Sequence, residues 1–380
     1  MFLTGDYDNI DLHFIKRMGY NMKKVFLFLL LISAFTIPLT SSLLNAAELM
    51  TESSVSVIFF MPIGNSLDPF IQMCEKGIHV SAALFPGLKI ARVYPYSDDY
   101  VHEYIKFAAM RGHEYIVGVG SYYAGAFDKI ADEFPNKNFI IIDGKSSKKN
   151  VKSVIFNNKE AGVLAGAAAG ILTLNNKIGF IGGRETGIIY DFEKGFAEGI
   201  KKHNKKSELT VKYISKGNDG YTNQKAGFEI ADAMYKNGAD IIFAAAGASG
   251  LGSIEAARLN KKMIIGVDAD QDELARGIVM TSIIKRLDTS IVNLLQSIAT
   301  AKYDSKETVY NLANVGFALS NFTYSKNKIG KEKLDKIYDE LFNLKKKYEY
   351  SERSKLNEPS DNGPAKSRRG KYKPGQIFRK

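Results

Sequence analysis

The stretch that most restricts what this chain can become is residues 238–270, GADIIFAAAGASGLGSIEAARLNKKMIIGVDAD. An apolar run of strand length, 241–246, breaks at a glycine-rich turn, 247–252. Helical spacing follows over 253–259, and a second apolar run, 263–267, stops on Asp268. Strands of a parallel α/β sheet are buried on both faces, so they appear as continuous apolar runs and not as alternating ones. Such sheets bind ligands outside the carboxyl ends of their strands. Gly247 and Asp268, each ending a run, therefore fall side by side at the mouth of one crevice.

The same unit recurs upstream. Strands are expected at 55–60, 89–93, 115–119 and 139–142, with helices at 70–83, 100–110 and 124–134 between them. Pro69 suits a first helical turn, and the fourth run stops on Asp143. An extended run at 151–156 leads into an Ala/Gly-rich helix, 160–174, whose small side chains allow close approach to a neighbour; it is too short to cross a bilayer. The alternation then restarts, with strands at 178–181, 210–214, 241–246, 263–267 and 280–284 and helices at 190–202, 224–235, 253–259 and 290–301. A βα series that runs twice through one chain predicts an α/β protein of two similar doubly wound lobes facing a common ligand cleft. A chain of 380 residues is long enough for both. The first lobe is expected at 48–157 together with about 285–322, where 309–322 reads as irregular strands. The second is expected at 158–284, and a charged terminal helix at 323–350.

Residues 22–50, MKKVFLFLLLISAFTIPLTSSLLNAAELM, have the layout of a signal peptide: two lysines, an apolar run, then small residues. Residues 1–47 are therefore expected to be leader and signal, and the protein to be exported to the periplasm or cell envelope. Cys74 is the single cysteine, which excludes an intramolecular disulfide framework and a cysteine-based zinc site. The five histidines show no metal-ligand spacing. Of the formal net charge of +11, much lies after residue 350, where nine basic residues face three acidic ones. That tail, 351–380, is expected to be disordered, either a solvated end or a contact for a membrane surface or acidic partner. A nucleic-acid-binding domain is not indicated.

Four segments, KIGFIGGRETGIIYDFEKGFAEGIK (177–201), GADIIFAAAGASGLGSIEAA, IIGVDADQ and TSIIKRLD, together resemble the basic membrane protein family, bacterial substrate-binding proteins of the PnrA type with spirochaete members. The resemblance covers about residues 55–301. It implies a type I periplasmic-binding-protein-like fold, a nucleoside held between the lobes, and service as the receptor of an ABC importer with its membrane subunits. It implies no cofactor. In the family the aspartate of GVDxDQ and the lysine of SxxKRxD contact ligand; Asp268 and Lys285 hold those places. Gly247 matches the glycine of the AxGxxG turn. Tyr221, in GYTNQKAG, is the nearest match to a loop aromatic, and Phe70 to the phenylalanine of an SFN-type segment. The chain departs from the pattern at the end of its first strand, Phe60-Met61-Pro62, where the family carries an acid. It also lacks the family's lipid-attachment cysteine.

A nucleoside asks for an aromatic platform under its base and a carboxylate for its vicinal ribose hydroxyls. Phe70, Tyr221, Tyr122 and Tyr123 are candidate platforms, although the last two suit a core or hinge equally well. Asp268 is the candidate ribose acceptor. Lys285 either donates to the base or holds Asp268 in an ion pair. Asp143 either meets the ligand or caps the following turn, and Gly247 is equally explained as a plain tight turn.

An enzyme is not expected. The glycines at 247, 250 and 252 do not have the G-x-G-x-x-G spacing of a dinucleotide site, and G-x-S-x-G, Walker A and H-E-x-x-H are absent from the sequence. A third reading remains, a surface adhesin binding host matrix or an anionic polymer, with a decayed cleft.

Overall fold

The computed structural model describes residues 55–357 apart from 96 and 98. The expected leader and signal, 1–47, lie outside the described residues, as does the expected tail beyond residue 357; the first residues of that tail, 351–357, continue the terminal helix and are not the disordered chain expected there.

Twelve strands form two six-stranded sheets with the same order. The first runs β11-β5-β4-β3-β1-β2 and the second β12-β10-β9-β8-β6-β7. The first sheet uses β1 (Ser56–Phe60), β2 (Lys89–Val93), β3 (Tyr115–Val119), β4 (Asn138–Ile142), β5 (Val151–Phe156) and β11 (Thr308–Tyr310). The second uses β6 (Lys177–Arg184), β7 (Glu208–Ser215), β8 (Ile241–Ala245), β9 (Met263–Asp268), β10 (Val279–Lys285) and β12 (Phe317–Leu319). All pairs are parallel except β10 with β12. This is the type I periplasmic-binding-protein-like architecture, two doubly wound α/β lobes.

Helices cover both faces of each sheet. Around the first lie α1 (Pro69–Leu84), α2 (Val101–Met110), α3 (Ala124–Ile130) and α8 (Leu287–Ala299). Around the second lie α4 (Asn158–Leu172), α5 (Gly187–His203), α6 (Gln224–Lys236) and α7 (Ser249–Asn260). A short helix, α9 (Lys326–Ile329), and a long one of 27 residues, α10 (Lys331–Asn357), follow at the carboxyl end. The start of α1 is set locally: the Asp68 side chain accepts the Phe70 N–H and Pro69 occupies the first turn. Asn157 and Asn223 cap α4 and α6 in the same way. Separate apolar clusters fill the outer faces, Ile105, Phe127 and Ile130 on the first sheet and Met234, Ile254 and Ile264 on the second. The largest cluster joins α1, α8, α4 and α5 beneath both sheets.

The Ala/Gly-rich helix α4 is buried, as its composition suggests. Its Gly162 and Gly166 meet the backbone of α5 at Phe192 and Phe196 with no room for a side chain. Among the described residues no helix is long and apolar enough to cross a membrane.

Three expectations need correction. The strand expected at 178–181 runs on through Gly182 and Gly183 to Arg184, because parallel neighbours pair with it along that length. The helix expected from 253 starts at Ser249, inside the glycine-rich segment. A Cβ on Gly252 would run into the Gln224 carbonyl oxygen, so this glycine serves the close packing of α7 on α6 and not a loop. The returning segment 285–322 also does not stay with one sheet. Its β11 joins the first and its β12 the second, so the chain passes between lobes once more than expected.

Candidate ligand-binding site

The carboxyl ends of β1, β3 and β4 face those of β6, β8, β9 and β10 across a cavity, the place where such sheets bind ligands. Asp68, Phe70, Tyr122 and Asp143 line it from the first lobe; Tyr221, Gly247, Asp268 and Lys285 line it from the second.

Lys285 ends β10 and is fully buried. Its Nζ donates to Asp143 Oδ2 at 2.5 Å, across the gap between lobes. Three aromatic rings surround the ammonium, Phe156 at 5.0 Å, Phe70 at 5.5 Å and Phe192 at 5.8 Å from their centroids. Each offers its negative π face. Lys285 is therefore fixed by a first-lobe carboxylate and a box of three phenylalanines, and not by the ion pair with Asp268 that was one of its two expected roles. Asp143 correspondingly spends its carboxylate on Lys285 and not on capping its own turn.

Asp268 ends β9 and is buried, yet among the described residues no donor hydrogen-bonds its carboxylate. Burial pushes its pKa up to about 7; Lys285 pulls it back, while Asp68 and Asp143 push it further up. Asp68 is pushed up to about 6 by burial, against the pull of the Phe70, Ala248 and Ile71 amides. The wall thus holds three carboxyl groups and one ammonium. Among the described residues no group of acids, histidines or cysteine is arranged to hold a metal ion.

Aromatic side chains complete the wall. Tyr221 packs against β6 at Gly183, where a Cβ would sit 2.5 Å from its ring. It also bonds Thr186, and burial pushes its phenol up to about 12. Phe70 faces the same space from the first turn of α1. Tyr122 is tied at its hydroxyl, which accepts the Ile63 N–H at 3.0 Å and donates to the Met61 carbonyl at 3.2 Å. Tyr123 is fully buried in the core and donates to the same carbonyl at 2.7 Å, so it is no platform.

A family model described as ABC transporter substrate-binding protein PnrA-like matches residues 53–355. The chain belongs to this family. The PnrA-like relatives include the ABC transporter nucleoside-binding protein BmpA of Lactococcus lactis subsp. cremoris, 33% identical over 63% of this chain and 74% of the relative. Basic membrane protein D of Borreliella burgdorferi is 32% identical over 60% of this chain and 65% of that protein. Among solved structures, a solute-binding protein from Aeropyrum pernix K1 superposes with a TM-score of 0.66 at 20% identity, covering 80% of this chain and 89% of the other. That likeness concerns the fold.

In this PnrA-like chain the seven residues singled out from sequence, Asp268, Lys285, Tyr221, Gly247, Phe70, Tyr122 and Asp143, all line the one cavity. Sequence reasoning missed Asp68, Arg184, Thr186 and Phe192, which line it too. Arg184 and Thr186 follow directly from the end of β6, a position that the strand-end rule marks once the strand is known to extend that far. Asp68 stood one residue before a helix-starting proline, where a cap is the ordinary reading. Its carboxylate is a first-lobe acid on the cavity wall, in the segment that follows β1.

Proposed function

We propose that this chain is the exported recognition subunit of an ABC importer and that its cavity takes a nucleoside of the purine class. The observation that carries the reading is the Asp268 carboxylate, which lines the cavity on a buried residue and has no donor among the described residues. A buried carboxylate is costly unless hydrogen-bonded. Vicinal ribose hydroxyls are two donors spaced for one such group. Phe70 and Tyr221, from opposite lobes, supply apolar faces for a flat base. Lys285, held by Asp143, adds a fixed positive donor for a ring nitrogen or exocyclic oxygen. The relative from Lactococcus lactis, described as nucleoside-binding, agrees with this chemistry.

No step of covalent chemistry is required. Closure of the lobes over the ligand would present a changed surface to the membrane subunits. A cleft abandoned for an adhesive role is free to fill with side chains; the retained cavity and the Asp268 carboxylate on its wall favour the receptor reading. Thermal unfolding of the purified protein against adenosine, guanosine, inosine, uridine, ribose and amino acids tests it. A rise in Tm with purine nucleosides is expected from preferential binding to the folded state. No rise with any nucleoside contradicts the proposal.

A further inference from the structure

Asp68 lines the cavity, but its carboxylate is already engaged. Its Oδ1 accepts the Phe70 N–H at 2.9 Å, capping α1 in the first lobe. Its Oδ2 lies 2.6 Å from where a side chain on Gly247 would begin, with Cγ at 3.2 Å, and Gly247 belongs to the second lobe. The Ala248 amide faces the same carboxylate. In the first turn of α7 the amides of Ser249, Gly250 and Leu251 bond the carbonyls of Ala246, Gly247 and Ala248. The Ala248 N–H comes before that ladder, a helix-end donor that needs an outside acceptor. A negative charge is favoured at such an end. One carboxylate therefore serves two helices of different lobes.

We propose that Asp68 is a positioning residue for ligand capture, clasping Gly247 and Ala248 of the second lobe and holding the lobes together over the cavity before any ligand arrives. This rests on the reading of the cavity as a ligand site that opens and closes. Gly247 is part of the clasp: it has a left-handed φ of 54°, and only the absence of a side chain lets the carboxylate approach. The Lys285–Asp143 pair is a second bridge between the same lobes. Together the two bridges commit both first-lobe carboxylates to second-lobe donors and leave Asp268 as the acceptor for the ligand. An aspartate that only capped α1 would have no reason to lie against Gly247.

The clasp is tested without ligand, so a failure of nucleoside binding would not be confused with a failure of the clasp. Spin labels are placed through Met110→Cys on α2 and Leu259→Cys on α7, both exposed and on different lobes. Cys74 is fully buried, and burial raises its thiol pKa, so it stays unlabelled. The interlobe distance distribution is then read by pulsed electron spin resonance. Asp68→Ser keeps a cap for α1 but has one oxygen and a shorter reach. It is expected to raise the ratio of open to closed molecules by about tenfold, the loss of one charge-assisted hydrogen bond. Gly247→Ala, which displaces the carboxylate, is expected to shift the distribution the same way, and the double variant no further than either single one. A distribution unchanged in both single variants, or additive opening in the double variant, overturns the proposal.

Discussion

Asp143 and Asp268 close equivalent strands of two different sheets, and both do so with left-handed backbone, φ 58° and 66°. Residues with side chains rarely adopt that conformation, and it gathers at functional sites. Duplication of the strand end gives the cavity two acids of similar origin and opposite fate. Lys285 bonds Asp143 across the lobes, while among the described residues Asp268 has no hydrogen-bond donor.

Lys285 therefore stabilises the protein chiefly by matching Asp143. Lys285→Met leaves a buried carboxylate unpaired and is expected to cost about 3–5 kcal/mol in urea unfolding. Adding Asp143→Asn to it should recover much of that loss. If the double variant is no more stable than Lys285→Met alone, the pair is not what Lys285 is for.

The acid side of the cavity sets a pH dependence. Burial raises Asp268 to about 7 and Asp68 to about 6, both above the ordinary carboxyl value. The folded chain then binds protons more readily than the unfolded chain, and these groups lower stability as pH rises from about 4 to about 7. Asp268→Asn removes the larger share. Its Tm relative to the parent should climb between about pH 4 and about pH 7. Parallel curves for the two proteins would refute the burial of an ionisable Asp268.

Tyr221 is placed by what Gly183 lacks. Tyr221→Ala should weaken nucleoside binding by up to about tenfold, the scale of a stacking contact, while Tyr221→Phe should retain most of it. Gly183→Ala, whose new carbon would meet the ring at 2.5 Å, should lower affinity in the same direction. Equal affinity in Tyr221→Ala would remove this ring from the site.

Gly252 has a different role despite its place in the glycine-rich segment. Gly252→Ala forces α7 off α6 and should destabilise by about 1–3 kcal/mol, with little change in ligand affinity of the molecules that remain folded. A large affinity loss at unchanged Tm would restore the reading of this segment as a ligand loop.

The order of strands and helices was legible because parallel strands, buried on both faces, leave short apolar runs that end on Gly or Asp. That rule also located Gly247, Asp143 and Asp268, since strand ends are where such sheets bind ligands. Contacts across the lobes were not legible. Nothing local in 281–288 distinguishes Asp143 from Asp268 as the partner of Lys285; the choice depends on how two sheets meet. Likewise Gly182 and Gly183 look like strand breakers until Tyr213 and Tyr221 are seen packed against them. Asp68 caps α1, a local role, and its approach to Gly247 belongs to the other lobe.

The central claim is that Asp268 is the acceptor for the ligand's hydroxyls. Calorimetric titration of a purine nucleoside into the parent protein and into Asp268→Ala tests it most directly. The account predicts one site per chain in the parent and a loss of about 100-fold or more in the variant, the worth of two hydrogen bonds to a charged group, with the variant still folded. Binding of equal strength to both proteins would contradict it.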